Sequence, residues 1–482
     1  MSESSSGPFQ HPKPFYLLFS VEMWERFGYY GMQALLVLFM VKKLGFTDEL
    51  ADTTFSAFAA LVYAFMCLGG YIGDKILGNR RTMFLGAIVL AIGYGLLGID
   101  CEKFFYPALG IIIAGNGLFK ANPSALVSKL YDKGDPRVDG AFTLYYMAIN
   151  VGSFAAMSLC PFIQERYGWD AGFFVCFIGM GVAVVNFIFF RRILDPIGSE
   201  ADFRPLHFRN CGITIVGTIV VAAASALLLK HLTVAHGLLY TAVVVVAGLY
   251  IREIYRAEPH ERSNLIICLI LMAEAVVFFA LYQQMPTSLN LFAARNVHLS
   301  IFGMPVQAAT FQALNPFWIM ILSPILAVAY TKLDRSGKDF SLPGKFALGM
   351  IMCCASFLTL ALVAKYRADA TGYIDGNWLV ISYCFQSLGE LLVSGLGLAM
   401  VARLTPERSM GFMMGAWFMF QSVAMVLGGY IATMASVPEG GVHATKSLII
   451  YGDLFMRIGL ATGAIALVMT LFVPVLKKHI SD

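Results

Sequence analysis

Charge is what this 482-residue chain has least of: Asp, Glu, Lys and Arg together make up 13%, against about 25% in an ordinary soluble domain. With 58% apolar residues there are too few polar groups to cover a soluble surface, and the same figures exclude a disordered chain. No run of Lys and Arg marks a nucleic-acid partner, and the net charge is only +4. The nine cysteines (Cys67, Cys101, Cys160, Cys176, Cys211, Cys268, Cys353, Cys354, Cys384) form no C-x-x-C pair and no Cys/His spacing. That excludes a metal or redox motif of the usual kind and leaves them as small apolar residues inside apolar runs. Residues 1–14 are Ser-rich and lack the charged and short apolar regions of a cleaved signal, so they read as a loose tail before a retained spanning helix.

What the chain has instead is apolar runs of membrane length. The mean hydropathy is +0.72, and about 20 apolar residues span a hydrocarbon core of ~30 Å. Fourteen helix candidates follow, near 15–41, 53–76, 82–99, 105–130, 140–163, 171–190, 211–230, 237–255, 264–284, 306–331, 345–364, 377–402, 410–435 and 450–475. An even number places both termini on one side. Setting them in the cytoplasm puts Arg80, Arg81, Lys129, Arg191, Arg192, Arg252, Arg256, Lys332 and Arg403 there too, with most of the 34 basic residues. The expected fold is therefore an all-α polytopic membrane protein. Its parts are a tail (1–14), a six-helix bundle (15–190), a linker with two extra transmembrane helices (191–262), a second six-helix bundle (263–475) and a tail (476–482).

The two bundles share a weak repeat. G-Y-I-G-D-K-I-L-G-N-R-R (Gly70 to Arg81, including Asp74) follows the second candidate, and L-D-R-S-G-K (Leu333 to Lys338) follows the tenth. The first resembles the cytoplasmic loop signature of the major facilitator superfamily, whose fold places the substrate site near the midplane between two parallel halves.

Ionisable groups deep in a span are costly and read as functional by default. Six survive that filter: Glu22, Glu25, Arg26, Lys120, Glu274 and Glu390. Internal pairing that merely fixes helix packing is the plain alternative, but packing alone does not call for so much buried charge. In the first span Glu22, Arg26, Tyr29 and Gln33 recur at steps of four, three and four, which is one stripe of a helix. A Glu22–Arg26 pair within the helix leaves Glu25 to seek a base elsewhere, and Lys120 is the other buried base of that half. A carboxylate between burial and nearby cations is poised to take a proton when the cation leaves. The eight His residues fall in loops or near span ends, so proton traffic is expected to run through carboxylates.

E-x-x-E-R-F-x-Y-Y in the first span resembles the first signature of the proton-dependent oligopeptide transporters, a branch of the major facilitator superfamily. The resemblance continues in G-N-G-L-F-K-A-N-P-S (Gly115 to Ser124), D-G-A-F-T-L-Y-Y-M-A-I-N-V-G-S (Asp139 to Ser153), L-N-P-F-W (Leu314 to Trp318), G-E-L-L-V-S (Gly389 to Ser394) and G-A-W-F (Gly415 to Phe418). It runs through both bundles in order. The loop at 365–376 is too short for the external domain of animal members.

The resemblance implies a proton-coupled symporter that imports di- and tripeptides by alternating access and clamps their termini between the bundles. It implies Arg26 and Lys120 on the peptide carboxylate, Glu390 on the ammonium, Asn150 and Asn315 on the backbone, and Ser394 among the peptide-binding residues. Tyr29, Tyr30, Tyr63, Tyr146 and Trp417 would wall the side chains, and Glu22, Glu25, Arg26, Lys120 and Glu390 would couple proton to peptide. Gln33, Asp74, Glu274, Tyr282 and Gln283 stand at gating positions. Many members carry Arg at Gln33 and an acid at Tyr282, so an uncharged outer gate is expected, and Ser56 replaces the helix 2 His of animal members. No metal and no cofactor is implied beyond the proton gradient. Expected partners are di- and tripeptides, protons and the bilayer, not nucleic acid, for a monomer in the cell inner membrane. An exporter of drugs or other organic ions on the same fold is the nearest rival, but it does not account for buried cations and anions on opposite bundles. A membrane-embedded enzyme lacks any nucleophile, metal or phosphate-loop arrangement.

Overall fold

The computed structural model describes residues 11–132, 135, 137–335, 341–393, 397–406, 409–437 and 443–479, and these are almost wholly helical. Among the described residues, eleven helices are long and apolar enough to cross a membrane. The chain divides into two compact units, one of residues 11–35 and 61–231, the other of 36–60 and 232–479.

The first unit contains most of α1 (Lys13–Lys42), the end of α2 (Asp48–Tyr71), α3 (Asn79–Ile99), α4 (Phe105–Phe119), α5 (Ala121–Ser128), α6 (Val138–Tyr167), α7 (Trp169–Phe190) and α8 (Phe208–Lys230). Glycines let its helices meet backbone to backbone. A Cβ on Gly69 of α2 would lie 1.7 Å from the Gly117 carbonyl oxygen of α4, and one on Gly152 of α6 would lie 2.2 Å from the Met23 oxygen of α1. Close approach through small residues is how helices associate where water supplies no drive between them. The stretch 105–130, expected as one helix, breaks at Lys120. Pro123 has no N–H for the Phe119 carbonyl and crowds it, which loosens the turn, although the Lys120 N–H still reaches the Asn116 carbonyl at 3.0 Å.

On the side that the charge bias assigns to the cytoplasm, a segment of two short 3₁₀ turns (Arg191–Leu194 and Glu200–Phe203) lies on the α2–α3 turn. Gly78 there has φ +102°, and a Cβ would strike the Asp202 carboxylate, which accepts the Arg80 backbone N–H at 3.2 Å. Ahead of α1, the His11 ring nitrogen and the Tyr131 hydroxyl share a buried 2.7 Å hydrogen bond.

The second unit holds α9 (Leu232–Arg256), α10 (Pro259–Tyr282), α11 (Ser288–Asn296), α12 (Leu314–Arg335), α13 (Leu342–Tyr366), α14 (Asn377–Val393), α15 (Gly397–Leu404), α16 (Met410–Thr433) and α17 (Ala444–His479), with the first part of α2. The two inserted helices do not pack as a separate linker: α8 lies on α4 and α9 on α16. α10 begins five residues before its expected start, because Glu258 and Glu261 form a reciprocal cap with Pro259 in the first turn. A two-stranded hairpin, Ser300–Ile301 against Met304–Pro305, turns through Gly303 at φ +81° before α12.

Candidate functional site

In the first unit, four of the six buried charges meet. The Arg26 guanidinium forks onto its neighbour Glu25, with Nε donating to Oε2 at 2.5 Å and Nη2 to Oε1 at 2.7 Å. Glu22, fully buried, lies 3.5 Å from Arg26 Nε and 3.6 Å from Lys120 Nζ. The Glu22–Arg26 pair expected within the helix is therefore present but long, and Arg26 serves Glu25 first, so Lys120 turns to Glu22 rather than to Glu25. A long guanidinium arm can fold back onto the preceding residue, a geometry that helical spacing does not suggest. Among the described residues neither Glu22 oxygen accepts a hydrogen bond of normal geometry, although the Tyr145 hydroxyl lies beside it. Of the two carboxylates, Glu25 is thus gripped by a close two-armed fork, while Glu22 has its two cations at longer range.

The aromatic residues surround this cluster. Arg26 lies 5.2 Å from the centre of the Tyr29 ring, and Tyr29 meets Tyr30 edge-on with centroids 5.4 Å apart. Tyr63 and Tyr146 are half-buried in the same unit. Asn150 gives its amide N–H to the Tyr146 carbonyl at 2.8 Å, which leaves its own carbonyl oxygen as the group it offers. Asn116, not singled out from the sequence, faces Arg26 Nη2 at 3.5 Å. Gln33 is buried one turn beyond Tyr29 on the same stripe of α1, and Asp74 lies 3.9 Å from Lys129 beside Asn79 in the α2–α3 turn.

In the second unit, Asn315 Nδ2 donates to Glu390 Oε2 at 2.7 Å and to Ser387 Oγ at 3.1 Å. Ser387 returns a bond to the Asn315 carbonyl at 3.3 Å, so a serine of α14 fixes the α12 asparagine whose amide reaches the carboxylate. Ser394 lies outside the described residues. Trp417 is buried and meets Phe279 edge-on at 6.2 Å. Gln284, rather than Gln283, is the anchored glutamine: its Nε2 donates to the Gly428 carbonyl at 2.8 Å, and Ser288 donates to its Oε1 at 2.7 Å. Gln283 is buried, with no partner for its Nε2 among the described residues, and Tyr282 ends α10 one residue before it. Glu274 is half-buried, with one carboxylate oxygen unpartnered and no ion pair among the described residues.

One charged contact was missed from the sequence. Asp48, at the start of α2, and Arg295, on α11, form a buried fork with distances of 2.5 and 2.7 Å. Asp48 fell outside a span expected to begin at 53, and Arg295 was assigned to a loop because α11 is short. Asp and Arg near apolar runs are the available signal, but 247 residues separate the partners. Among the described residues no group of His, Cys, Asp and Glu is arranged to hold a metal ion.

A match to the POT family covers residues 80–448. Dipeptide and tripeptide permease B of Aliivibrio fischeri (strain MJ11) is 47% identical over 473 residues, covering 98% of this chain and 96% of its own. Dipeptide and tripeptide permease A of Escherichia coli (strain K12) is 47% identical over 484 residues, 99% of this chain and 95% of its own. The chain belongs to the POT family. A solved structure of a bacterial homologue of the human drug peptide transporters PepT1 and PepT2 superposes with a TM-score of 0.87 at 41% identity, covering 97% of this chain and 99% of that one. A second, from work on substrate recognition in proton dependent oligopeptide transporters, gives 0.85 at 41% over 96% and 99%. As a POT member the chain is a multi-pass membrane protein of a transporter fold, and the buried α1 cluster lies in the segment that carries the E-x-x-E-R signature.

Proposed function

We propose that this chain imports di- and tripeptides together with protons across the cell inner membrane by alternating access. The observation that carries the reading is the four-charge cluster Glu22–Arg26–Glu25–Lys120 on one unit and the Asn315–Glu390 pair on the other. A small peptide is a zwitterion. Arg26 and Lys120 suit its carboxylate, Glu390 suits its ammonium, and Asn150 and Asn315 suit its backbone amides. The tyrosines 29, 30, 63 and 146, with Trp417 and Ser394, would line the space left to variable side chains. Peptide bound to residues of both units would favour the closed state, because a ligand shifts the equilibrium toward the state it binds best.

Coupling would begin at Glu22, the more loosely held acid. A proton there removes the carboxylate that faces Lys120 and frees the ammonium for peptide; its loss on the other side restores the pair and expels the peptide. Glu25 would keep Arg26 oriented, Glu390 would respond to the arriving ammonium, and Gln33, Asp74, Glu274, Tyr282 and Gln283 would work at the gates. Helices α1, α4–α5 and α14–α15, which carry buried charge, would complete the fourteen spans with both termini in the cytoplasm. A single chain supplies both poles of the peptide clamp, so a monomer suffices, with no cofactor and no catalytic step.

An exporter of organic ions is the poorer fit, since it has no use for cations and an acid held on separate units. The deciding measurement is uptake of a labelled dipeptide into proteoliposomes with and without an inward pH gradient. Accumulation that ignores the gradient would remove proton coupling, and no accumulation of peptide in any condition would remove the substrate class.

A further inference from the structure

At the end of the first unit that the charge bias places in the cytoplasm, a cleft of about 390 Å³ opens between the start of α3 and the end of α7. Four arginines line it: Arg80 and Arg81 from α3, and Arg191 and Arg192 from the turn that ends α7. Phe84 and Phe187 form its floor, stacked with centroids 4.7 Å apart and planes 17° from parallel.

The charges in this cleft are unevenly compensated. Arg80 is matched by the buried Asp202 at 3.5 Å and by Asp195 at 3.1 Å, the one acid of the lining. Among the described residues Arg81 donates only to the carbonyls of Leu77, Ala201 and Arg204, which fix its position without neutralising it. Arg191 and Arg192 are exposed, and among the described residues neither side chain has a hydrogen bond or an ion pair. Three guanidinium charges therefore face one small space without an acid of their own.

The position says which anion fits. The last turn of α7 carries Ile188, Phe189 and Phe190 at 50%, 76% and 52% exposure, an apolar surface that on a membrane protein faces hydrocarbon. The arginines begin where that surface ends. Basic pockets at this level of a membrane protein hold lipid headgroups, with each Lys or Arg contributing about 1 kcal/mol.

We propose that this cleft binds the phosphate headgroup of an anionic phospholipid of the inner leaflet. The phosphate oxygens lie between Arg81, Arg191 and Arg192, and one acyl chain runs along Ile188 over the Phe84–Phe187 stack. The shared chemistry is a phosphate ester, so a soluble phosphate is the other source to be tested.

Delipidated full-length protein in neutral detergent is titrated with phosphatidylglycerol, phosphatidylcholine or inorganic phosphate, and bound lipid is counted by native mass spectrometry. Phosphatidylglycerol is expected to occupy one saturable site, phosphatidylcholine to bind far more weakly, and inorganic phosphate not to compete at equal concentration. Arg191→Gln with Arg192→Gln should weaken that site by about 25-fold, from roughly 1 kcal/mol per arginine. These side chains are exposed and have no partners among the described residues, so the variant should fold. Arg252→Gln with Arg256→Gln, on α9, removes the same charge from the same side and should leave the site intact. Equal losses in the two double variants would reduce the effect to general attraction and overturn the site. Full competition by inorganic phosphate would reassign it to a soluble anion. Unchanged binding in the Arg191/Arg192 variant would remove it.

Discussion

Arg295 gives both arms of its guanidinium to Asp48, at 2.5 and 2.7 Å, and its Nη1 also reaches the Tyr451 hydroxyl at 2.9 Å. Asp48 in turn accepts the Val437 backbone N–H at 2.9 Å. One side-chain pair thus ties the start of α2 to α11, α17 and the stretch after α16. Removing one partner from a buried pair leaves the other charge unmatched, a loss of about 3 kcal/mol that the 27% exposure of the Arg295 side chain will soften. Asp48→Ala and Arg295→Ala should each lower the thermal midpoint in detergent, and the double variant should lose less than their sum. Additive losses would mean the two side chains act independently.

Glu22→Gln and Glu25→Gln should fail differently. Glutamine at 22 mimics the protonated acid and leaves the Glu25–Arg26 fork intact, so concentrative uptake should fall at least tenfold while counterflow exchange survives. Glutamine at 25 breaks the fork and releases Arg26, so both modes should fall. Identical profiles for the two variants, in correctly folded protein, would place the proton on the pair rather than on Glu22.

Glu390 accepts the Asn315 amide N–H at 2.7 Å, and an amide carries no charge to cancel that of a carboxylate. A peptide with an acetylated amino terminus lacks the cation. Wild-type protein should bind it at least tenfold more weakly than the free peptide, and Glu390→Gln should narrow that gap. Competition against a labelled dipeptide reads both.

Gly69→Ala would drive a methyl group to 1.7 Å from the Gly117 carbonyl oxygen, where no rotamer can relieve the clash. Folded yield and thermal midpoint should drop sharply. Gly181→Ala, on α7 with nothing within 4 Å of its Cβ, should change neither.

His11 supplies a pH test outside the spans. Burial first, and then the Arg137 charge, hold its pKa below the ordinary 6.5, with Asp135 opposing weakly. The neutral ring is the one that docks on Tyr131 with Arg137 nearby, so the contact is complete above pH 6.5. It weakens as pH falls from 6.5 toward the lowered value, because the undocked ring takes the proton first. Limited proteolysis at the start of α1 should therefore rise between pH 7 and 5.5 relative to a His11→Gln reference. A constant ratio would mean that the ring does not titrate there.

Much of the site was legible because charge is so scarce in the spans. Glu22, Glu25, Arg26, Lys120 and Glu390 stood out from apolar surroundings, and helical spacing put Glu22, Arg26, Tyr29 and Gln33 on one stripe. The pairing within the cluster was not legible, since spacing gives faces but not how far a guanidinium folds back. Nor was the break at Lys120, where Pro123 acts on the carbonyl of residue 119. The Asp48–Arg295 fork joins residues 247 apart, and such closure leaves no local trace. Likewise the inserted helices carry no internal signal that one belongs with α4 and the other with α16.

The α1–Lys120 cluster has an electrical consequence. Two acids, Glu22 and Glu25, face two bases, Arg26 and Lys120, so the resting group is neutral. A zwitterionic peptide adds no net charge and the proton adds one, so each cycle would carry a positive charge inward. Every 100 mV of inside-negative potential then adds about 2.3 kcal/mol per proton. A potassium diffusion potential alone, with pH equal on both sides, should drive accumulation of a neutral dipeptide by nearly fifty-fold at that voltage if one proton moves per peptide.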